Sequence, residues 1–135
     1  MCGRYQFTSD QCEEIRRIAQ EIDRNYGSDA WTPGEIRPTA TAPVLVSSDG
    51  EVHPELQTWG YKFPGRPLIN ARAETAGDKP MFRDSVHSRR CVVPSTGFYE
   101  WNRERRKYFP VASISLAIAN SVKIKKRSSS VLSRR

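Results

Sequence analysis

The chain has no long hydrophobic run. Across its 135 residues no apolar stretch approaches the ~20 residues that cross a bilayer. No secretory signal precedes Cys2, so the cytoplasm is the expected compartment. Cysteine is scarce: Cys2, Cys12 and Cys91 are the three, far apart and without a C-x-x-C pair. That pattern argues against a zinc site and a disulfide framework, and no metal or cofactor is expected. Cys12 and Cys91 read as small buried hydrophobes. The hydrophobic fraction is 37%, below the globular average of about 45–50%. Length and composition together fit one domain with a single modest core.

Acidic residues are nearly absent from the C-terminal quarter. Residues 103–135 hold ten Lys/Arg and one acid, a net +9, whereas residues 1–102 hold twelve Lys/Arg and fourteen acids, a net −2. The overall +7 therefore says little about the body of the chain. A nucleic-acid reading of that body has to rest on where individual arginines stand.

What the chain does have begins at Met1-Cys2-Gly3-Arg4-Tyr5. Cys is small enough to permit removal of Met1, which leaves an α-amine and a thiol on one carbon. Such a pair closes to a thiazolidine with any aldehyde. The α-amine titrates near ~8 and the thiol near ~8.5, so both are partly reactive at neutral pH. Gly3 lets backbone approach a ligand, and Arg4 carries a charge suited to phosphate. The other reading of the same residues is an ordinary chain terminus.

Residues 8 to 24 read as a helix. Thr8 and Gln11 have capping-box spacing, Ile15, Ile18, Ala19 and Ile22 form one apolar face, and Gly27 is the expected C-cap. Residues 30 to 43, with Pro33, Pro38 and Pro43, read as a stiff loop. Val44-Leu45-Val46, the turn Ser47 to Gly50 and residues 51 to 58 read as a hairpin, in which His53 has no assigned role. Trp59, Tyr61 and Phe63 form either a core plug or a stacking platform for bases. Asn70, Arg72 and Glu74 would share one strand face, either solvated or a polar site. A helical turn or two is expected around 80–88, and a buried strand at 91–94 closed by Pro94. Beyond Gly97, Glu100 would share a face with Phe98, and Trp101 with Tyr99. Apolar bulk beside Glu100 would raise its pKa toward acid–base use; an exposed strand glutamate is the alternative.

Taken together, these stretches resemble one family. Met-Cys-Gly-Arg-Tyr at the start, Arg-Pro-Thr at 37–39, Trp-Gly at 59–60, Asn-Ala-Arg-Ala-Glu-Thr at 70–75, Arg-Cys-Val-Val-Pro at 90–94 and Gly-Phe-Tyr-Glu-Trp at 97–101 look like the SRAP domain, the SOS-response-associated peptidases that process abasic sites. The resemblance is read over residues 1–108. It implies an α+β fold, with antiparallel strands around a curved, barrel-like sheet and an N-terminal helix. It also implies a protein that senses abasic sites in single-stranded DNA and forms a covalent thiazolidine crosslink through Cys2 after Met1 removal.

By the same resemblance Cys2, Asn70 and Glu100 are catalytic. Cys2 is the nucleophile, Asn70 hydrogen-bonds near its amine and the sugar, and Glu100 is the general acid/base. Arg4 and Arg72 hold phosphates, while Pro38, Trp59 and Trp101 border the kinked strand. The expected partner is single-stranded DNA with abasic sites, handled by a monomer in the cytoplasm, at the nucleoid, without membrane or cofactor. The family's catalytic His, in a His-x-Arg-Met-Pro-like motif, has no counterpart here; His53 and His87 stand in other contexts. Residues 109–135 are expected to form a divergent basic tail, belonging to a truncated or frame-shifted form of a longer protein or to a short variant that grips DNA. Two other functions fit parts of the pattern. One is an N-terminal-nucleophile thiol peptidase or amidase, and the other a non-catalytic single-stranded DNA-binding fragment.

Overall fold

The computed structural model describes residues 3–8, 10, 12–101, 104, 107–108 and 111–118, with backbone alone at 98, 100–101, 107–108 and 111–118. In chain order the elements are β1 (Tyr5–Phe7), α1 (Glu13–Tyr26), β2 (Gly34–Ile36), β3 (Thr41–Ser48), β4 (Glu51–Thr58), α2 (Ala73–Ala76), α3 (Pro80–Ser88), β5 (Arg90–Phe98), β6 (Glu100–Trp101), β7 (Lys107–Tyr108) and β8 (Val111–Ile118).

The apolar spacing within residues 8–24 does produce a helix, α1. It buries Ile15, Ala19, Ile22 and Tyr26, with Ile18 packed at the margin. Gly27 closes it at φ 98, its N–H donating to the Asp23 carbonyl, as only a residue without Cβ does cheaply. The expected start is wrong. Cys12, not Thr8, is the N-cap, and it makes no side-chain cap bond. Thr8 is held elsewhere: its backbone N–H and its hydroxyl both meet Thr96 Oγ1, at 3.3 and 3.2 Å. A long-range partner outcompetes the local cap. Cys12 is exposed and only Cys91 is buried, so the expectation holds for one of the two.

The sheet is antiparallel, ordered β2-β1-β5-β3-β4, with β8 also paired to β5. The α+β expectation holds. Among the described residues the sheet is open, ending at β2 and β4 rather than closing into a barrel. β5 is its axis. One edge takes β8 from Arg90↔Ile118 to Gly97↔Val111. The other is shared by β3 at Leu45↔Val92 and β1 at Gln6↔Gly97 and Tyr5↔Phe98. Pro94 falls between those two registers, so the strand runs through it instead of stopping there. The β3–β4 hairpin turns at Asp49 and Gly50, both at positive φ (52 and 81), the geometry of a type I′ turn.

The expected loop at 30–43 is partly sheet. β2 occupies 34–36, and β3 begins at Thr41, taking Pro43 into the ladder opposite Leu56. Prolines exclude helix, but a sheet end tolerates them. The expected strand at 70–75 is also corrected. Ala73–Ala76 is a helical turn, with the Arg72 carbonyl accepting from Thr75 and Ala76 N–H at 3.2 and 2.9 Å. Asn70, Arg72 and Glu74 therefore do not alternate on one pleated face. α3 spans 80–88, where a helix was expected.

The main core lies between α1 and one face of β1–β4. Phe7, Ile22, Ile36 and Leu56 are its most enclosed members. Trp31 meets Phe7 edge-on at 5.2 Å and donates its indole N–H to Asp23 at 3.1 Å, so its polar end is satisfied. A smaller cluster joins Val44 and Cys91.

Candidate functional site

The site is built outward from β1. Tyr5 pairs with Ile36 on one side and Phe98 on the other. The Tyr99 N–H donates to the Arg4 carbonyl at 3.2 Å, carrying the pairing one residue beyond the strands. The Tyr5 ring rests on Trp59, centroids 5.6 Å apart. Burial raises the Tyr5 phenol well above its usual value, with the nearby Cys91 adding to the effect. Tyr5 is thus a neutral packing residue at physiological pH.

Trp59 is pinned by its own backbone. Its N–H donates to Ala40 and its carbonyl accepts from Thr39, both at 2.9 Å. Thr39 adopts φ 72, just after half-buried Pro38. Beyond Trp59 the chain doubles back. Tyr61 and Leu68 exchange two backbone hydrogen bonds, of 2.8 and 3.0 Å, and the Trp59 indole N–H donates to the Ile69 carbonyl at 3.4 Å. Gly60 makes this possible. It sits at φ +108, and a Cβ there would lie 3.4 Å from both Ile69 and Pro67 side chains. A cavity of about 500 Å³ opens beside this fold-back, lined among others by Trp59, Tyr61, Asn70, Phe82 and Arg90. Tyr61 stands edge-on to Phe82 at 5.1 Å. The two readings of the aromatic stretch thus divide: Trp59 and Tyr61 pack and line the cavity, and Phe63 is exposed.

Of the expected site residues, the structure brings Trp59 and Asn70 to one cavity and sets Arg4 immediately before the strand whose Tyr5 packs on Trp59. Asn70 and Arg72 are exposed. Arg72 has no ion-pair partner among the described residues, and stands at the start of α2. Arg4 lies 3.6 Å from Glu35. Cys2 lies outside the described residues. For Glu100 and Trp101 only the pairing of β6 with β7 is described, at Glu100↔Tyr108 and Trp101↔Lys107. The expected shift in the Glu100 pKa therefore also lies outside. Cys91 is no competitor as a nucleophile, because burial pushes its thiol up to about 11. Sequence reasoning missed Glu35, Arg37 and Arg90; the alternation Glu35-Ile36-Arg37 was the available sign of a strand with a charged face. Among the described residues no group of three His, Cys, Asp or Glu could hold a metal ion, and no helix is long and apolar enough to cross a membrane.

A family model described as SOS response associated peptidase (SRAP) matches residues 1–119. The chain belongs to the SRAP family. The match takes in β8, so the SRAP region includes every strand of the main sheet. Among its relatives is the abasic site processing protein YoqW of Bacillus subtilis (strain 168), 31% identical over 111 residues, which covers 76% of this chain and 49% of that protein. Another is the abasic site processing protein YedK of Escherichia coli (strain K12), 32% identical over 116 residues, covering 82% of this chain and 52% of the relative. This SRAP chain spans about half the length of the curated relatives it matches.

Proposed function

We propose that this chain processes abasic sites in DNA, capturing the lesion in single-stranded DNA through Cys2. Hydrolysis of the Met1–Cys2 bond frees the α-amine. The amine adds to the aldehyde of the ring-opened sugar and loses water to form an imine. The thiol sulfur then adds to the imine carbon, its proton passes to nitrogen, and the thiazolidine ring closes with nothing oxidised or reduced. Glu100 moves protons during sugar opening and imine formation, and Asn70 hydrogen-bonds the sugar and the Cys2 amine. Arg4 and Arg72 hold flanking phosphates; Pro38, Trp59 and Trp101 border the strand. The chain acts as a monomer in the cytoplasm, at the nucleoid, with the family-matched residues 1–119 as the reacting body and the basic residues from Lys123 onward adding non-specific affinity.

One observation carries this reading. The Tyr99 N–H to Arg4 carbonyl bond joins the N-terminal strand to the segment that leads into Glu100. Cys2 is two residues before Arg4, and Glu100 is one residue after Tyr99. The family membership and the relatives' shared name support it independently.

The test is a single-stranded oligonucleotide bearing one abasic site, mixed with the protein and resolved on a denaturing gel, with intact mass measured in parallel. The expected result is an adduct that survives denaturation, formed by chain lacking Met1. Cys2→Ser and Cys2→Ala should give no stable adduct. Glu100→Gln should slow its formation by the ~10²-fold typical of general acid–base catalysis. A stable adduct from Cys2→Ala would overturn the reading, and an adduct without Met1 removal would overturn the ring chemistry.

A further inference from the structure

We infer that Arg4 and Arg37 form a two-arginine phosphate slot, and that Glu35 fills it in the free protein and lowers the affinity for DNA. This deepens the reading above and rests on it for the identity of the anion. The geometry follows from the β1–β2 register. Tyr5 pairs with Ile36 and Gln6 with Glu35, so Arg4 and Arg37 are the residues just beyond the last pair, at the same end of the ladder. Two guanidinium groups gathered on one carboxylate repel each other. Glu35, two residues from Arg37 and diagonal to Arg4, answers both. The Arg37 Nε–H donates to Glu35 Oε1 at 2.6 Å, and the Arg4 guanidinium lies 3.6 Å from the same oxygen.

One carboxylate oxygen between two guanidinium groups has the charge arrangement of a bound phosphate oxygen. Glu35 is the more enclosed partner, its side chain 25% exposed against 47% for Arg4 and 65% for Arg37. The arginines therefore stay open to solvent while the carboxylate sits between them. Exposed ion pairs of this kind are weak, so an incoming phosphate displaces Glu35 readily. Displacement still leaves a carboxylate beside the anion. Removing the Glu35 charge makes the surroundings of the two arginines more positive by one unit, so Glu35 sets how tightly the strand is held at the point where the N-terminus meets it. Arg37 thereby becomes a phosphate contact alongside Arg4.

The test is binding of a labelled, intact single-stranded oligonucleotide, followed by anisotropy over a range of salt. Glu35→Gln should tighten binding about three- to tenfold at low salt and steepen the salt dependence. Glu35→Asp, which keeps the charge, should stay near the parent. Arg37→Gln should weaken binding and flatten the logarithmic salt slope by up to about 0.7, the value for one single-strand phosphate contact. In the double variant the gain from Glu35→Gln should vanish, because the slot has lost one wall. Equal affinity of Glu35→Gln and parent overturns the inference. So does a gain of the same size in the Arg37→Gln background, which would mean general charge and not a slot. No binding by any variant overturns it as well. Adduct yield on the abasic oligonucleotide is read separately: a parent that binds intact strands but forms no adduct sinks the crosslinking reading while these binding outcomes still decide the slot. Thermal midpoints within a few degrees of the parent show that each variant is folded.

Discussion

Helix α1 and the fold-back at residues 59–72 are held by different means. α1 is periodic and sits on the main core through one face, with Ile22 wholly enclosed. The fold-back has no regular element before α2. It is held by paired backbone bonds at Tyr61 and Leu68, by the indole bond of Trp59 to Ile69, and by two glycines at positive φ, Gly60 and Gly65. The first distributes its stability over many apolar contacts. The second concentrates it in a few groups, and those are the groups that line the candidate site. The candidate site thus rests on a segment held mainly by a few polar contacts, joined to the main core through Trp59.

The largest effect should come from the helix. Ile22→Ala leaves a cavity in the cluster that holds Phe7 and Leu56 and should cost about 2–5 kcal/mol, read by urea unfolding. The cavity-side fold-back should survive in the remaining native molecules, as judged by amide exchange at Tyr61 and Leu68. Simultaneous loss of protection there, well below the unfolding midpoint, would show that the two regions are one cooperative unit.

Gly60→Ala should act the other way round. A side chain at φ +108 carries strain of about 1–3 kcal/mol, smaller than the helix effect. It falls on the Trp59–Ile69 contact, so exchange at Leu68 should quicken and adduct formation should drop by more than global stability does. A variant as protected as the parent at Leu68 would remove the special role of Gly60.

The smallest effect is expected outside both regions, at Cys91 of β5, which lies close enough to Tyr5 to act on its titration. The thiol is raised from 9.0 to about 11 in the folded chain by burial. A raised folded value favours the protonated native form. Its contribution is complete below pH 9 and is lost as pH climbs toward 11. Stability measured between pH 8 and 11 should therefore fall, and fall less steeply in Cys91→Ala. Iodoacetamide at neutral pH should modify exposed Cys12 before Cys91. Equal rates would mean that burial does not control the thiol.

Local pattern on its own determined α1, the β3–β4 hairpin and α3, because each depends on residues a few positions apart. Ile15, Ala19 and Ile22 carry their helical spacing wherever the helix packs. The tertiary structure alone decided the rest. Thr8, a credible cap, is instead spent on Thr96, 88 residues away. Asn70 and Arg72 left the expected strand because the Arg72 carbonyl caps a turn and the Trp59 indole holds Ile69. Glu35 became the anion between Arg4 and Arg37 only once β2 paired with β1. A hydrogen bond or ion pair between distant segments depends on the register of strands that meet only in the folded chain, and no local spacing encodes which register that will be.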